Sequence, residues 1–183
     1  MNPSPNLFLI GPMGAGKSSI GRRLAEHFRM PCIDLDAAVE ERTGTSVATI
    51  FEIEGEAGFR RRESELLAEF AARDGIVLAT GGGAVLAPAN RALLRERGFV
   101  LWLETSVEQQ LQRLARDRQR PLLDAPDRRE RLDQLARVRD PLYRELADFS
   151  VAGEGESCQH AAARIAGLLE QHWQRTPAAR ATA

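Results

Sequence analysis

Lysine is nearly missing from this chain. Lysine and arginine together number 25, yet Lys17 is the only lysine. That scarcity excludes GTPase base-reading motifs of the NKxD type, which need a lysine elsewhere. Cysteine is also scarce: Cys32 and Cys158 stand far apart, without CxxC or metal-ligand spacing. They read as free, buried thiols of a reducing compartment. The formal net charge is only -1, so no global field draws nucleic acid or a membrane surface. No apolar run reaches the roughly 18 residues a membrane helix needs, and no signal-peptide pattern opens the chain. A cytoplasmic protein is expected, with neither nucleic acid nor membrane as partner. Internal repeats and low-complexity segments are lacking too.

What is present fits one domain over residues 1–183, with 43% apolar and 28% charged residues. The single lysine sits in Gly11-Pro-Met-Gly-Ala-Gly-Lys-Ser18, behind the apolar run Leu7–Ile10. This fits the phosphate-binding pattern GxxxxGK[S/T] at every fixed position. A helical pattern follows, with Ile20, Leu24 and Phe28 on one face. Glycines let the backbone curl until successive N–H groups, at Gly14, Ala15, Gly16, Lys17, Ser18 and Ser19, line one hollow at a helix N-terminus. Lys17 then reaches the β- and γ-phosphates, and the Ser18 hydroxyl is placed to ligate Mg²⁺. Nucleoside triphosphate binding follows from this stretch alone.

Taken in order, strands are expected at 6–10, 31–36, 76–79, 99–103 and 149–151, each followed by helical pattern. Gly55 and Gly58 interrupt the apolar spacing between Ser46 and Phe70, so two helices are read there. Strands alternating with helices imply a parallel sheet of about five strands with helices on both faces. Ligands bind at the carboxyl ends of such strands. The phosphate loop, Asp34 and Asp36, Thr80–Gly83 and the residues after Leu103 all fall there. Between two helices, residues 116–126 are charged and without periodicity.

The run GPMGAGKSSIGRRLA, then Asp34-Leu-Asp36, EGEAGFRRRE around Arg60, LATGGG ending at Gly83, RPLL at Arg120–Leu123 and RDPLY at Arg139–Tyr143 resembles the shikimate kinase family. The motifs stand in that family's order across about residues 6–170. The resemblance implies an α/β P-loop kinase fold with a lid, here about 114–127, and a substrate-binding helical region, about 34–62; separately, the composition of about 174–183 reads as a disordered tail. It implies transfer of the ATP γ-phosphate to the 3-hydroxyl of shikimate, on the route to chorismate and the aromatic amino acids, using Mg²⁺; a monomer is expected. Arg60, Arg139, Asp36 and the backbone of Gly81, Gly82 and Gly83 match the acceptor-binding positions. Lys17, Asp36 and Arg120 match the catalytic ones, Arg113 the arginine near adenine, and Asp34 a carboxylate near Mg²⁺, through water. Shikimate carries one carboxylate and three hydroxyls, so guanidinium forks and an acceptor carboxylate are the chemistry it calls for. Phe51 and Phe59 are candidates to wall its ring.

Blander roles exist for several of these residues. Asp before a helix is a common cap. Charge runs such as Arg60-Arg61-Arg62 are usually solvated faces, which is the reading for Arg61 and Arg62. His27, His160 and His172 lack metal spacing, and Trp102 and Trp173 read as packing. A gluconate- or adenylate-type kinase on the same fold, or a non-catalytic relative, are the competing functions.

Overall fold

The computed structural model describes residues 3–115 and 127–176. Five strands form one fully parallel sheet in the order β2-β3-β1-β4-β5. They are β1 (Leu7–Ile10), β2 (Cys32–Asp34), β3 (Val77–Ala79), β4 (Phe99–Glu104) and β5 (Phe149–Ala152). The helices are α1 (Lys17–Phe28), α2 (Leu35–Thr43), α3 (Val47–Ala71), α4 (Pro88–Arg97), α5 (Val107–Leu114), α6 (Arg128–Leu146) and α7 (Cys158–His172), with a short 3₁₀ turn at Ala84–Leu86.

Strand β1 is central, and all four of its side chains are buried. Because successive side chains point to opposite faces, Leu7 and Leu9 join one core with α1 and α7. Phe8 and Ile10 join the other, formed with α2, α3, α4 and α6. A third small cluster joins Met13 of the phosphate loop to Leu114 and Leu132, so α5 and α6 pack over that loop. The expected α/β architecture with helices on both faces is present.

The local differences have physical causes. The second strand stops at Asp34 rather than Asp36, because the Asp34 carboxylate accepts from the Ala37 N–H at 3.1 Å and starts α2 at Leu35. Asp34 and Asp36 are therefore a helix cap and a first-turn residue, not neighbours on one side of a strand. Gly55 does interrupt α3: its φ of 71° and ψ of -179° break the helical path, in a region that suits glycine. Gly58 does not; it lies inside the second half. Cys32 is exposed, contrary to the expected buried thiol, because β2 is an edge strand, and Cys158 is half-buried.

Asn6 ties the lower edge of the sheet. It is fully buried, its amide donates to the Arg73 and Arg97 carbonyls at 2.8 and 3.0 Å, and its carbonyl accepts from the Ile76 N–H. Asn6→Ala takes the side-chain partner from the buried Ile76 N–H and the Arg73 carbonyl, while the Arg97 carbonyl keeps the Ser4 hydroxyl at 3.1 Å. The substitution is expected to lower the unfolding free energy by about 2–3 kcal/mol, read from urea denaturation. At the other end of the chain Arg175 bonds the Phe28 carbonyl and the Thr176 N–H bonds Ser4, while residues 177–183 of the expected tail fall outside the described residues. No described helix is long and apolar enough to cross a membrane.

Candidate active site

The phosphate loop joins the carboxyl end of the central strand to α1. Gly14 and Gly16 adopt φ of 77° and 86°, which closes the loop and sets Gly16 as the N-cap of α1. Lys17 is buried, and its ammonium donates to the Gly11 and Pro12 carbonyls at 2.8 Å each. Ser18 and Ser19 follow in the first turn of α1 and are exposed.

Beside the loop lies a cavity of about 240 Å³, lined by Gly14, Gly16, Ser19, Leu103, Arg113, Gly153, Cys158 and Arg164 among others. Its volume and its contact with the loop suit a nucleoside. Arg113 donates to the Gly14 carbonyl at 2.9 Å, so one expected nucleotide-binding arginine does border it. Arg164 was not foreseen. From α7 it holds the 152–156 segment through the Ala152 carbonyl, 3.2 Å, and the Glu156 carboxylate. That segment has no periodicity, so nothing in the sequence singled out its partner.

The second part of the site is organised by three glycines, each pressed against a different functional side chain. A Cβ on Gly81 would run into the Glu63 carboxylate and lie 2.9 Å from Asp36 Oδ1. On Gly82 it would lie 3.4 Å from the phosphate loop at Gly11 and Met13, and 3.5 Å from Arg139 Nη1. On Gly83 it would collide with the Arg60 guanidinium. A side chain at Gly81 or Gly83 would displace a charged group, whereas a Cβ at Gly82 would make only ordinary contacts. The structure thus brings Asp36, Arg60, Arg139 and Gly81–Gly83 together beside the phosphate loop.

Arg60 and Arg139 come from different helices, α3 and α6, and are near enough to repel one another. Arg139 is 4% exposed, and burial lowers its affinity for a proton, with the Arg60 charge adding to that effect. Arg60 is held by Glu56 at 3.1 Å and Glu63 at 2.7 Å. Burial works against its charge, but the two carboxylates outweigh burial and the net shift is upward. Two guanidinium groups facing one chamber are a receptor for an anion of carboxylate type. Phe51 and Phe59 lie nearby with ring centroids 4.9 Å apart, and Arg60 covers the Phe59 ring.

Glu63 is the main residue that sequence reasoning missed. It is completely buried, and its Oε1 has no hydrogen-bond partner among the described residues. Burial pushes its carboxyl above the ordinary 4.5, Arg60 pulls it back, and Asp36 adds to the upward push. A carboxyl bound more tightly to its proton in the folded state stabilises the fold at low pH and loses that contribution as pH rises. Relative to Glu63→Gln, the wild type is therefore expected to lose stability as pH climbs from about 4.5 toward neutrality, measured by urea unfolding at several pH values. Arg61, by contrast, is a solvated charge, while Arg62 is half-buried; both pair with Glu54 across the Gly55 break.

Comparison with known proteins identifies this arrangement. The sequence model described as shikimate kinase matches residues 13–170. The chain belongs to the shikimate kinase family. A shikimate kinase of Stenotrophomonas maltophilia is 54% identical over 175 residues, covering 96% of this chain and 97% of that protein. One of Vibrio cholerae is 50% identical over 167 residues, covering 91% and 96%. Among solved structures, the shikimate kinase from Acinetobacter baumannii in complex with shikimate superposes with a TM-score of 0.89 at 44% identity, covering 93% of this chain and 95% of that one.

Set against the shikimate kinase pattern, Arg120 and the expected lid lie outside the described residues, apart from Leu114, Ala115 and Asp127. Mg²⁺ suits the donors on the rim. The exposed Ser18 hydroxyl stands at the N-terminus of α1, and Asp34 uses Oδ1 for its cap. Mg²⁺ commonly keeps water and substrate phosphates around one or two protein oxygens.

Proposed function

We propose that this shikimate kinase family member transfers the γ-phosphoryl group of ATP to the 3-hydroxyl of shikimate, giving shikimate 3-phosphate and ADP. The observation that carries this reading is the convergence at Gly81–Gly83 of the buried Arg139 guanidinium, the partly buried Arg60 guanidinium and two carboxylates, beside the phosphate loop. The shikimate carboxylate fits between Arg60 and Arg139. Its hydroxyls face Asp36, and the glycine backbone supplies donors at close range.

In this reading Lys17 leaves the Gly11 and Pro12 carbonyls for the phosphates. Ser18 would hold Mg²⁺ and Asp34 would stand near it through water; the ion would supply positive charge that offsets the phosphates. Asp36 orients the 3-hydroxyl and takes its proton as the oxygen attacks. The new oxygen–phosphorus bond forms as the bond to the bridging oxygen of ADP breaks, roughly in line. Arg113 borders the nucleoside, and Arg120 closes over the phosphates from the lid. Catalysis of this kind is positioning and charge stabilisation in a site from which water is kept out. The enzyme acts as a cytoplasmic monomer.

A coupled ADP-release assay with ATP and Mg²⁺ tests this, comparing shikimate, gluconate and no acceptor. Turnover that requires shikimate is expected. Turnover with gluconate alone, or nucleotide binding without turnover on either, would overturn it.

A further inference from the structure

Tyr143 is the only tyrosine in the chain and is completely buried. Its ring packs on Trp102, with centroids 5.9 Å apart, in the core beneath the site. A phenylalanine would fill that place equally well. The hydroxyl is what needs a reason, because a buried phenol is costly unless it is bonded. It donates to the Gly82 carbonyl at 2.5 Å. The hydroxyl also interacts with the guanidinium of Arg139, which stands four residues earlier on the same face of α6. Gly82 in turn lies against both Arg139 and the phosphate loop at Gly11 and Met13.

The phenol thus sits between the two parts of the acceptor site that come from different elements. The glycine loop follows β3, and Arg139 comes from α6, 56 residues on from Gly83 by sequence number. Without the hydroxyl, the Gly82 carbonyl would lose its only described side-chain donor. The 82–83 peptide plane would also lose the contact that fixes its rotation. The Gly83 N–H belongs to that plane, and Gly83 faces Arg60. One hydroxyl therefore bears on Arg139 directly and on the loop facing Arg60.

We infer that Tyr143 is a positioning residue for the acceptor, its hydroxyl locking the Gly82 peptide and the Arg139 guanidinium into the geometry that receives the substrate carboxylate. This rests on the shikimate reading above. It touches no reacting atom and leaves the nucleoside cavity alone, since none of that cavity's lining residues belongs to α6.

The test is steady-state kinetics of Tyr143→Phe beside the wild type, with shikimate and ATP varied in turn. The expected result is a rise of about tenfold in the KM for shikimate, the scale of one hydrogen bond to a charged site. The KM for ATP stays within about twofold. An unchanged KM for shikimate, or equal rises for both substrates, would overturn the inference, the second by showing only a general loosening. Wild type without shikimate turnover would instead sink the functional reading itself. Should Tyr143→Phe fail to fold, wild-type protein grown with 3-fluorotyrosine decides. Its single ¹⁹F resonance is expected to shift with shikimate and stay in place with ADP, and a resonance indifferent to shikimate would contradict the role.

Discussion

Asp36→Asn is expected to lower kcat by about 10²–10⁴ while leaving ATP binding intact. The replacement keeps the shape of the side chain and one acceptor oxygen. It removes the negative charge that makes Asp36 able to take the proton of the attacking hydroxyl. Asp36 is placed for this by the first turn of α2, started by the Asp34 cap. Its carboxylate faces Gly81 beside Glu63, in the chamber next to the phosphate loop. Because Asp36 lines no part of the nucleoside cavity, the KM for ATP is expected to hold. Steady-state kinetics in both substrates checks this. A kcat within about tenfold of wild type would remove Asp36 from the proton-transfer role.

Lys17→Met carries the second large effect, a fall of roughly 10²–10³ in kcat, the usual loss when one preorganised charge stabiliser is removed. Lys17 emerges from the first position of α1, so its stem is fixed by the helix. Its ammonium is held among loop carbonyls at 2.8 Å until phosphates offer a stronger partner. Lys17→Arg is expected to recover little of the activity. A planar guanidinium is too broad for a pocket built around a compact ammonium, and this site holds the one lysine of an arginine-rich chain. Single-turnover rates at saturating ATP separate the chemical step from weaker binding. Recovery by arginine to near wild-type rates would show that charge alone, not its compact form, is required.

The sequence made the fold legible because two strong signals agreed: the phosphate loop, and buried strands alternating with helical periods. Neither depends on distant contacts. The acceptor site was half legible. Arg60, Arg139, Asp36 and the triple glycine stood in recognisable motifs, and the structure places them together. Glu63 was hidden by its neighbours, since it ends Arg60-Arg61-Arg62-Glu63, a run that looks solvated along its whole length. Only the packing of α3 against the sheet turns Glu63 inward and leaves Arg61 63% exposed. The strand limit at Asp34 failed for a different reason, because a cap and a strand end compete for the same residue. Cys32 was misplaced because strand order, and hence which strand is the edge, is a tertiary property. Tyr143 stood inside a recognised motif, but its hydroxyl acquires meaning only when α6 is laid over the Gly82 carbonyl.

Proton-coupled ³¹P NMR of the products formed from ATP, Mg²⁺ and shikimate tests the central claim most directly. The account predicts ADP and a single phosphate ester coupled to the proton on carbon 3, with none formed by Asp36→Asn on the same timescale. Inorganic phosphate as the only new phosphorus product, or an ester on another hydroxyl, would contradict it.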